Sequence, residues 1–146
     1  MATPTAFTDA QGQNDIDRNA RQYTDLDLFF GKKATSRDIS KVTDIQAVKR
    51  SVRNLVLTNH YEKPFHPEIG SGVRGILFEP MTPLTAIILT RKIEDVIENF
   101  EPRARLIGVS ANPRLDRNEY EVTIEFFVVN MPTELVDLTL FLERLR

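Results

Sequence analysis

The last third of the chain alternates between apolar and polar residues. Between Glu119 and Val129 the apolar side chains fall on every second position, as they do in a strand with one buried face. A shorter strand is predicted over residues 104–111, and the polar residues 112–118 are predicted to form the turn between the two strands. The predicted buried face consists of Tyr120, Val122, Ile124, Phe126 and Val128.

The segment 136–142 fits two periods. Leu138, Phe141 and Leu142 have helical spacing, whereas Val136, Leu138, Leu140 and Leu142 have strand spacing. We predict a strand, because Val and Thr favour strands and a turn at residues 130–132 precedes the segment. The C-terminal part is therefore expected to be a three-stranded antiparallel meander.

Two helices are predicted before the meander. Thr82-Pro83 combines an N-cap with a proline at the first helical position and predicts a helix over residues 83–100 that Pro102 ends. A second helix is predicted from Thr43 or Asp44 to about residue 59. The apolar positions of the long helix are Leu84, Ile87, Ile88, Ile93, Val96, Ile97 and Phe100, and those of the other helix are Ile45, Val48, Val52, Leu55 and Val56.

The first part of the chain is less regular. Residues 1–24 carry few apolar side chains and are predicted to be an extended or disordered arm. Two short extended pieces, at residues 26–30 and 38–42, and a short helix at residues 73–78 are predicted next. The predicted organisation is an arm over residues 1–24 and a single α+β domain over residues 25–146, with the helices packed on the small antiparallel sheet.

Composition removes several classes of function. A net charge of −2 favours neither nucleic acid nor an acidic membrane surface, and the lack of cysteine removes disulfides, thiolate nucleophiles and Cys-ligated zinc. No apolar run reaches the ~20 residues of a spanning helix, and no signal-peptide pattern is found at the N-terminus. We therefore expect no nucleic-acid or membrane partner.

The loop at residues 59–72 has the most distinctive composition in the chain. It contains two histidines, two glutamates, two prolines, two glycines and two aromatic residues. The prolines restrict φ and the glycines permit tight turns, so we predict an ordered functional loop. Tyr61 and Phe65 are expected to anchor it.

A metal site is one hypothesis for this loop. His60, Glu62, His66 and Glu68 carry imidazole and carboxylate groups that zinc or iron would accept. Prolines interrupt their spacing, however, and no helical zinc motif or facial triad is recognisable. We predict that the two histidines form hydrogen bonds and partner contacts, and that no metal or cofactor is bound.

Glycoside hydrolysis is a second hypothesis. It needs two carboxyl groups roughly 5 to 9.5 Å apart, one of them with a raised pKa. The available carboxylates are Glu62, Glu68, Glu79 and Glu101. A chain with 21 acidic residues supplies such pairs by chance, so we predict no catalytic residue.

Glu101-Pro102-Arg103 lies where the long helix meets the first strand of the meander. In one interpretation Pro102 ends the helix and Arg103 caps its last carbonyls. In the other, Pro102 holds the backbone so that Glu101 and Arg103 point towards a partner. The local residues favour neither interpretation.

Four features in order resemble the baseplate wedge and sheath-initiator family of contractile-tailed, T-even-like bacteriophages, which is related to a sheath-initiator subunit of type VI secretion baseplates. They are Asp25-Leu26-Asp27, the loop at residues 59–72, Glu101-Pro102-Arg103 and the closing strands. The resemblance covers about residues 24–146 and leaves the N-terminal arm outside. It implies a domain similar to the linking part of the tail sheath protein.

The resemblance also implies a function and partners. In the family this domain holds a helical core bundle of larger wedge proteins, and the Glu-Pro-Arg segment attaches to it; the domain also provides the template for the first ring of sheath protein. We expect a structural, non-enzymatic subunit of the virion, located in the tail baseplate and assembled in the host cytoplasm. The alternative is a baseplate-associated, lysozyme-like peptidoglycan hydrolase.

The residues expected to bind partners belong to three regions. An initiator needs an open sheet edge to which an incoming sheath segment adds a strand, and we place that edge at residues 136–145. The residues are Glu101, Pro102 and Arg103, then His60, Tyr61, Phe65, His66 and Glu68, and finally Thr139 and Leu140.

Overall fold

The computed structural model of the chain describes residues 23–32 and 38–145, apart from the side chains of Pro132 and Thr133. The expected arm at residues 1–24 lies almost wholly outside the described part, so it stays a prediction. The chain divides into two compact units, residues 1–47 and residues 48–146. In the described ranges, no helix is both long enough and apolar enough to cross a membrane.

The described part of the first unit contains a two-stranded antiparallel sheet. Strand β1 (Thr24–Leu26) pairs with β2 (Lys41–Thr43), close to the two short extended pieces predicted from sequence. Helix α1 (Asp44–Leu57) follows directly and crosses the division between the units. Its stripe of Val48, Val52 and Val56 is buried, as its helical spacing predicts.

The second unit contains two further helices. The short helix α2 (Val73–Ile76) precedes the long helix α3 (Pro83–Phe100), whose predicted start and end are confirmed. Thr82 caps α3 by accepting the N–H of Thr85 at 3.1 Å. Glu101 is the C-terminal cap residue.

The buried face of α3 differs from the predicted one. Leu84, Ile87 and Ile88 were expected in the core and are exposed. The buried positions on this helix are Thr85, Ala86, Leu89, Ile93, Val96 and Ile97. The apolar residues of α3 cover more than one face, so their spacing alone does not show which face turns inward.

The predicted three-stranded meander is confirmed. Strands β3 (Ala104–Arg114), β4 (Glu119–Val128) and β5 (Met131–Glu143) are antiparallel in the order β3-β4-β5. The last segment is therefore a strand, and it is longer than predicted. The alternating residues Tyr120, Val122, Ile124, Phe126 and Val128 are all fully buried, and α3 packs against β3.

Two turns join the strands of the meander. A short 3-10 helix (Leu115–Arg117) ends at Asn118, which has a φ of 54°. The second turn ends at Asn130, with a φ of 69°. Asparagine tolerates this left-handed region better than most residues, so both turns suit their sequence. The resulting α+β fold agrees with the predicted fold class.

Candidate functional site

Backbone hydrogen bonds hold the loop at residues 59–72 closed. Ser71 donates its N–H to the carbonyl of Thr58, and Tyr61 donates its N–H to the carbonyl of Pro67, both at 3.0 Å. The buried Ser71 hydroxyl donates to the carbonyl of Val56 at 2.6 Å. The loop is thereby attached to the C-terminal end of α1.

Two further contacts make the base of the loop tight. The carboxylate of Glu62 accepts the backbone N–H of Asn59 at 2.8 Å. A Cβ at position 70 would lie 2.4 Å from the nitrogen of His60, so only glycine fits there. Glu62 is therefore used to shape the loop.

Tyr61 and Phe65 do not anchor the loop, contrary to the prediction. Their side chains are 86% and 98% exposed. Their φ angles of 67° and 66° place both in the left-handed region, which residues with bulky side chains rarely adopt. Because the backbone and the polar side chains already hold the loop, the rings are left on its outer surface.

His60, His66 and Glu68 all belong to this loop. His66 Nδ1 lies 3.1 Å from Glu68 Oε1, and both side chains are more than half exposed. A backbone hydrogen bond, and then the hydrogen bond to His66, hold the pKa of Glu68 below its usual 4.5. An open cavity of about 470 Å³ is lined by His60, Tyr61, Pro67 and Glu68.

The loop does not gather ligands for a metal. In the part of the chain that the structure describes, no three or more His, Asp or Glu residues lie together in a way that could hold an ion. The ring of His60 instead lies against Gly72, about 3.3 Å from where a Cβ would be. The hydrogen bond expected for His66 is present, between its ring and Glu68.

Glu101 and Arg103 form an ion pair with each other. Arg103 donates from Nε to Glu101 Oε1 at 2.7 Å and from Nη2 to Oε2 at 3.1 Å. Ser51, on α1, donates its hydroxyl to the same carboxylate. Glu101 is only 4% exposed, and its carboxylate is bonded within the chain to Arg103 and Ser51. The helix ends at Phe100, as the first interpretation of the motif expects.

Burial and hydrogen bonding act in opposite directions on this carboxylate. Burial raises the pKa of Glu101, but the hydrogen bonds from Arg103 and Ser51, together with the positive charge of Arg103, bring the pKa below 4.5. Glu101 is therefore ionised at neutral pH. Sequence reasoning missed Ser51, whose one signal is its position beside the buried stripe of α1.

Strand β5 forms one edge of the meander. In an antiparallel pair, residues whose N–H and C=O face the partner alternate with residues whose groups face away. Arg144 donates to the carbonyl of Asn118 at 2.8 Å, in register with the pairs of β4 and β5. Counting back by twos, Leu142, Leu140 and Leu138 face β4. The groups of Leu135, Asp137, Thr139, Phe141 and Glu143 therefore face away from the sheet.

A separate contact supports this assignment. Leu145 belongs to the outward-facing series, and its N–H bonds the carbonyl of Leu77 at 3.0 Å. Thr139 lies at the free edge as expected, with an exposed side chain. Leu140 was expected to bind a partner but is only 4% exposed, and its backbone faces β4. Leu140 therefore offers this edge neither an exposed side chain nor an outward-facing backbone group.

The opposite edge, formed by β3, is less suited to pairing. The residues of β4 whose backbone groups face β3 pair with Gly108, Ser110, Asn112 and Arg114. Val109, Ala111 and Pro113 therefore face outward. Pro113 has no N–H, and proline is tolerated in strands mainly at such edge positions. The β5 edge consequently offers the more regular set of outward donors and acceptors.

Comparison with known proteins identifies relatives over most of the chain. The family described as "Baseplate wedge protein gp25" matches residues 42–133. The baseplate wedge protein gp25 of Enterobacteria phage T4 is 33% identical over 118 residues, which is 81% of this chain and 89% of that protein.

Two solved structures share the fold. A putative tail lysozyme from Geobacter sulfurreducens is 22% identical, with a TM-score of 0.63, over 68% of this chain and 89% of that one. A chain of the anti-feeding prophage baseplate is 19% identical, with a TM-score of 0.60, over 85% and 87%. The sequence matches decide the family: the chain belongs to the gp25 family of baseplate wedge proteins, structural proteins of the phage virion.

Proposed function

We propose that this chain is a stoichiometric, non-catalytic subunit that binds the core bundle of larger wedge proteins and initiates polymerisation of the tail sheath. Membership of the gp25 family supports the role in the wedge. The observation that carries sheath initiation is the free edge of β5. An incoming strand would bond its outward-facing backbone groups, which is a common way for an extended segment to bind a sheet.

The side chains along this edge are suited to select the strand that binds. Leu135, Asp137, Thr139 and Phe141 are exposed on the outer face of the sheet and alternate with buried residues. An added strand would place its own outer side chains beside them, which sets register. The bond from Leu145 to Leu77 closes the edge at its C-terminal end.

The contact with the core bundle is proposed to use Pro102 and the loop at residues 59–72. Pro102 is exposed, between the two residues of the Glu101–Arg103 pair. Ser51 contacts Glu101 and lies six residues before Leu57, so the end of α1, two residues before the loop, is about 9 Å further along the helix axis. We propose that Glu101 and Arg103 hold this surface in shape and that Pro102 and the loop contact the partner.

The hydrolase alternative fits the geometry less well. A general acid in glycoside hydrolysis needs a raised pKa, whereas the pKa values of Glu68 and Glu101 are lowered. Glu62 is bonded to the backbone of Asn59. The solved structure named as a putative tail lysozyme shares the fold, and at 22% identity it says nothing more about activity.

Thr139→Pro tests strand addition. The substitution removes an outward-facing N–H and leaves the donors that face β4 in place. We expect wedges that contain the variant protein to form normally but to start no sheath, as judged by electron microscopy and by sedimentation of sheath protein. Full-length sheath on these wedges would contradict the proposal.

Ala111→Pro is the matched control. It places a proline at an outward-facing position of the β3 edge, two residues before Pro113, which faces the same way. Sheath should start normally on wedges containing this variant. Loss of sheath in both variants would show that proline harms the domain in general, so the melting temperatures of both isolated proteins are measured alongside.

A further inference from the structure

The loop at residues 59–72 carries two exposed aromatic residues in a backbone conformation that such residues disfavour. Tyr61 and Phe65 both have φ near +66°, where a side chain is disfavoured, and both are almost fully exposed. Burial of the rings within the chain does not offset this strain. Strained residues in a well-held segment are concentrated at binding and catalytic sites.

The loop is also held in this conformation by contacts within the chain. Its ends are joined by the Ser71 contacts to Thr58 and Val56, and the backbone at position 70 packs too closely on His60 for any side chain. A preformed loop loses little conformational freedom on binding, which favours affinity. Exposed aromatic residues in rigid segments are typical of the few residues that dominate an interface.

The cavity beside Tyr61 has the chemistry of a cation site. It is lined by His60, Tyr61, Pro67 and Glu68, which include an aromatic residue and an acidic residue. A guanidinium group binds both the face of an aromatic ring and a carboxylate. His66 contacts one oxygen of Glu68, and a carboxylate has lone pairs for further donors. Glu62 and Glu68 outnumber Lys63 in this loop, so its charge suits a basic partner.

We propose that this loop is a preformed docking element for one protein partner, a wedge protein. The ring of Phe65 enters an apolar pocket of that partner, and an arginine of the same partner occupies the cavity between Tyr61 and Glu68. This inference rests on the proposed function for the identity of the partner. It adds the chemistry by which the partner is recognised.

Phe65→Asn separates a binding role from a structural one, because asparagine removes the ring and tolerates the positive φ. The probe is the wedge subassembly purified from particles that lack this chain. We expect the melting temperature of the isolated variant to rise by about 1 to 3 °C and its affinity for the subassembly to fall at least about 30-fold. Leu115→Asn, which removes an exposed apolar side chain outside the loop, should retain the affinity of the original protein.

Glu68→Gln tests the cation site, because it removes the charge and keeps the size of the side chain. We expect its affinity for the subassembly to be about 5-fold lower at low salt, and this difference to shrink as salt is added. If Phe65→Asn binds the subassembly with unchanged affinity, the inference is wrong. It is also wrong if the unsubstituted protein binds anionic phospholipid vesicles and Phe65→Asn abolishes that binding but not binding to the subassembly. If the unsubstituted protein itself fails to bind the subassembly, the proposed function is wrong instead.

Discussion

At the scale of single residues, Glu101 shows how a local motif acquires its role from distant parts of the chain. The sequence left open whether Glu101-Pro102-Arg103 ends a helix or points at a partner. In the structure Glu101 is buried and bonded to Arg103 and to Ser51, fifty positions earlier. The carboxylate therefore joins α1 to the junction between α3 and β3.

Glu101→Ala is expected to destabilise the isolated protein. The substitution leaves the hydroxyl of Ser51 and the guanidinium of Arg103 without their carboxylate, and we expect a loss of about 1 to 3 kcal/mol in the free energy of unfolding at neutral pH. Chemical denaturation of the two proteins measures it. Glu98→Ala, at an exposed position of α3, should change the free energy of unfolding by less than about 0.5 kcal/mol.

The loss should depend on pH in a defined direction. Because the pKa of Glu101 is lower in the folded protein than its ordinary 4.5, its contribution is complete above about pH 5 and declines as the pH falls through the folded value. The difference between the original protein and Glu101→Ala should therefore shrink in acid. A difference that is constant from neutral pH to pH values well below 4.5 would contradict the ionised pair.

At the scale of elements, helix α3 shows the limit of a periodicity argument. Its existence and its ends were predicted correctly, because Thr82, Pro83 and Pro102 are local signals. Its inward face was predicted incorrectly at Leu84, Ile87 and Ile88, because the N-terminal half of the helix is apolar on more than one side. Contact with β3 decides which side is buried.

Two substitutions on α3 should differ sharply in their effect. Leu89 is fully buried, so Leu89→Ala should cost about 2 to 5 kcal/mol by loss of packing and creation of a cavity. Ile87 is 53% exposed, so Ile87→Ala should change the stability of the isolated protein by less than about 1 kcal/mol. Thermal unfolding of both variants measures the difference. Similar losses of stability in both variants would support the buried face that was predicted from the sequence.

At the scale of the whole molecule, the fold agrees with the class predicted from alternation and helical spacing. A C-terminal antiparallel sheet with helices before it follows from patterns that extend over ten or more residues. The family follows from a resemblance over most of the chain that the comparisons confirm. Binding and catalysis are not decided by fold alone, so the absence of hydrolase activity stays a prediction.

The purified protein is expected not to lyse peptidoglycan. In a turbidity assay with cell-wall fragments, the original protein should behave like Glu62→Gln, Glu68→Gln, Glu79→Gln and Glu101→Gln, each tested alone, while a known lysozyme clears the suspension. Clearing by the original protein that one of these substitutions abolishes would support the hydrolase alternative.

Features that depend on neighbouring residues could be predicted from the sequence, such as the start and end of α3 and the buried series on β4. Features that depend on contacts between distant parts of the chain, or on how a strand is paired, could be seen only in the folded structure. The structure leaves Tyr61 and Phe65 exposed, because hydrogen bonds within the loop and to the end of α1 hold the loop without the rings, and it pairs Glu101 with Ser51. It also placed Thr139 at a free edge and Leu140 in the core, since the strand paired with β5 sets the direction of each backbone group.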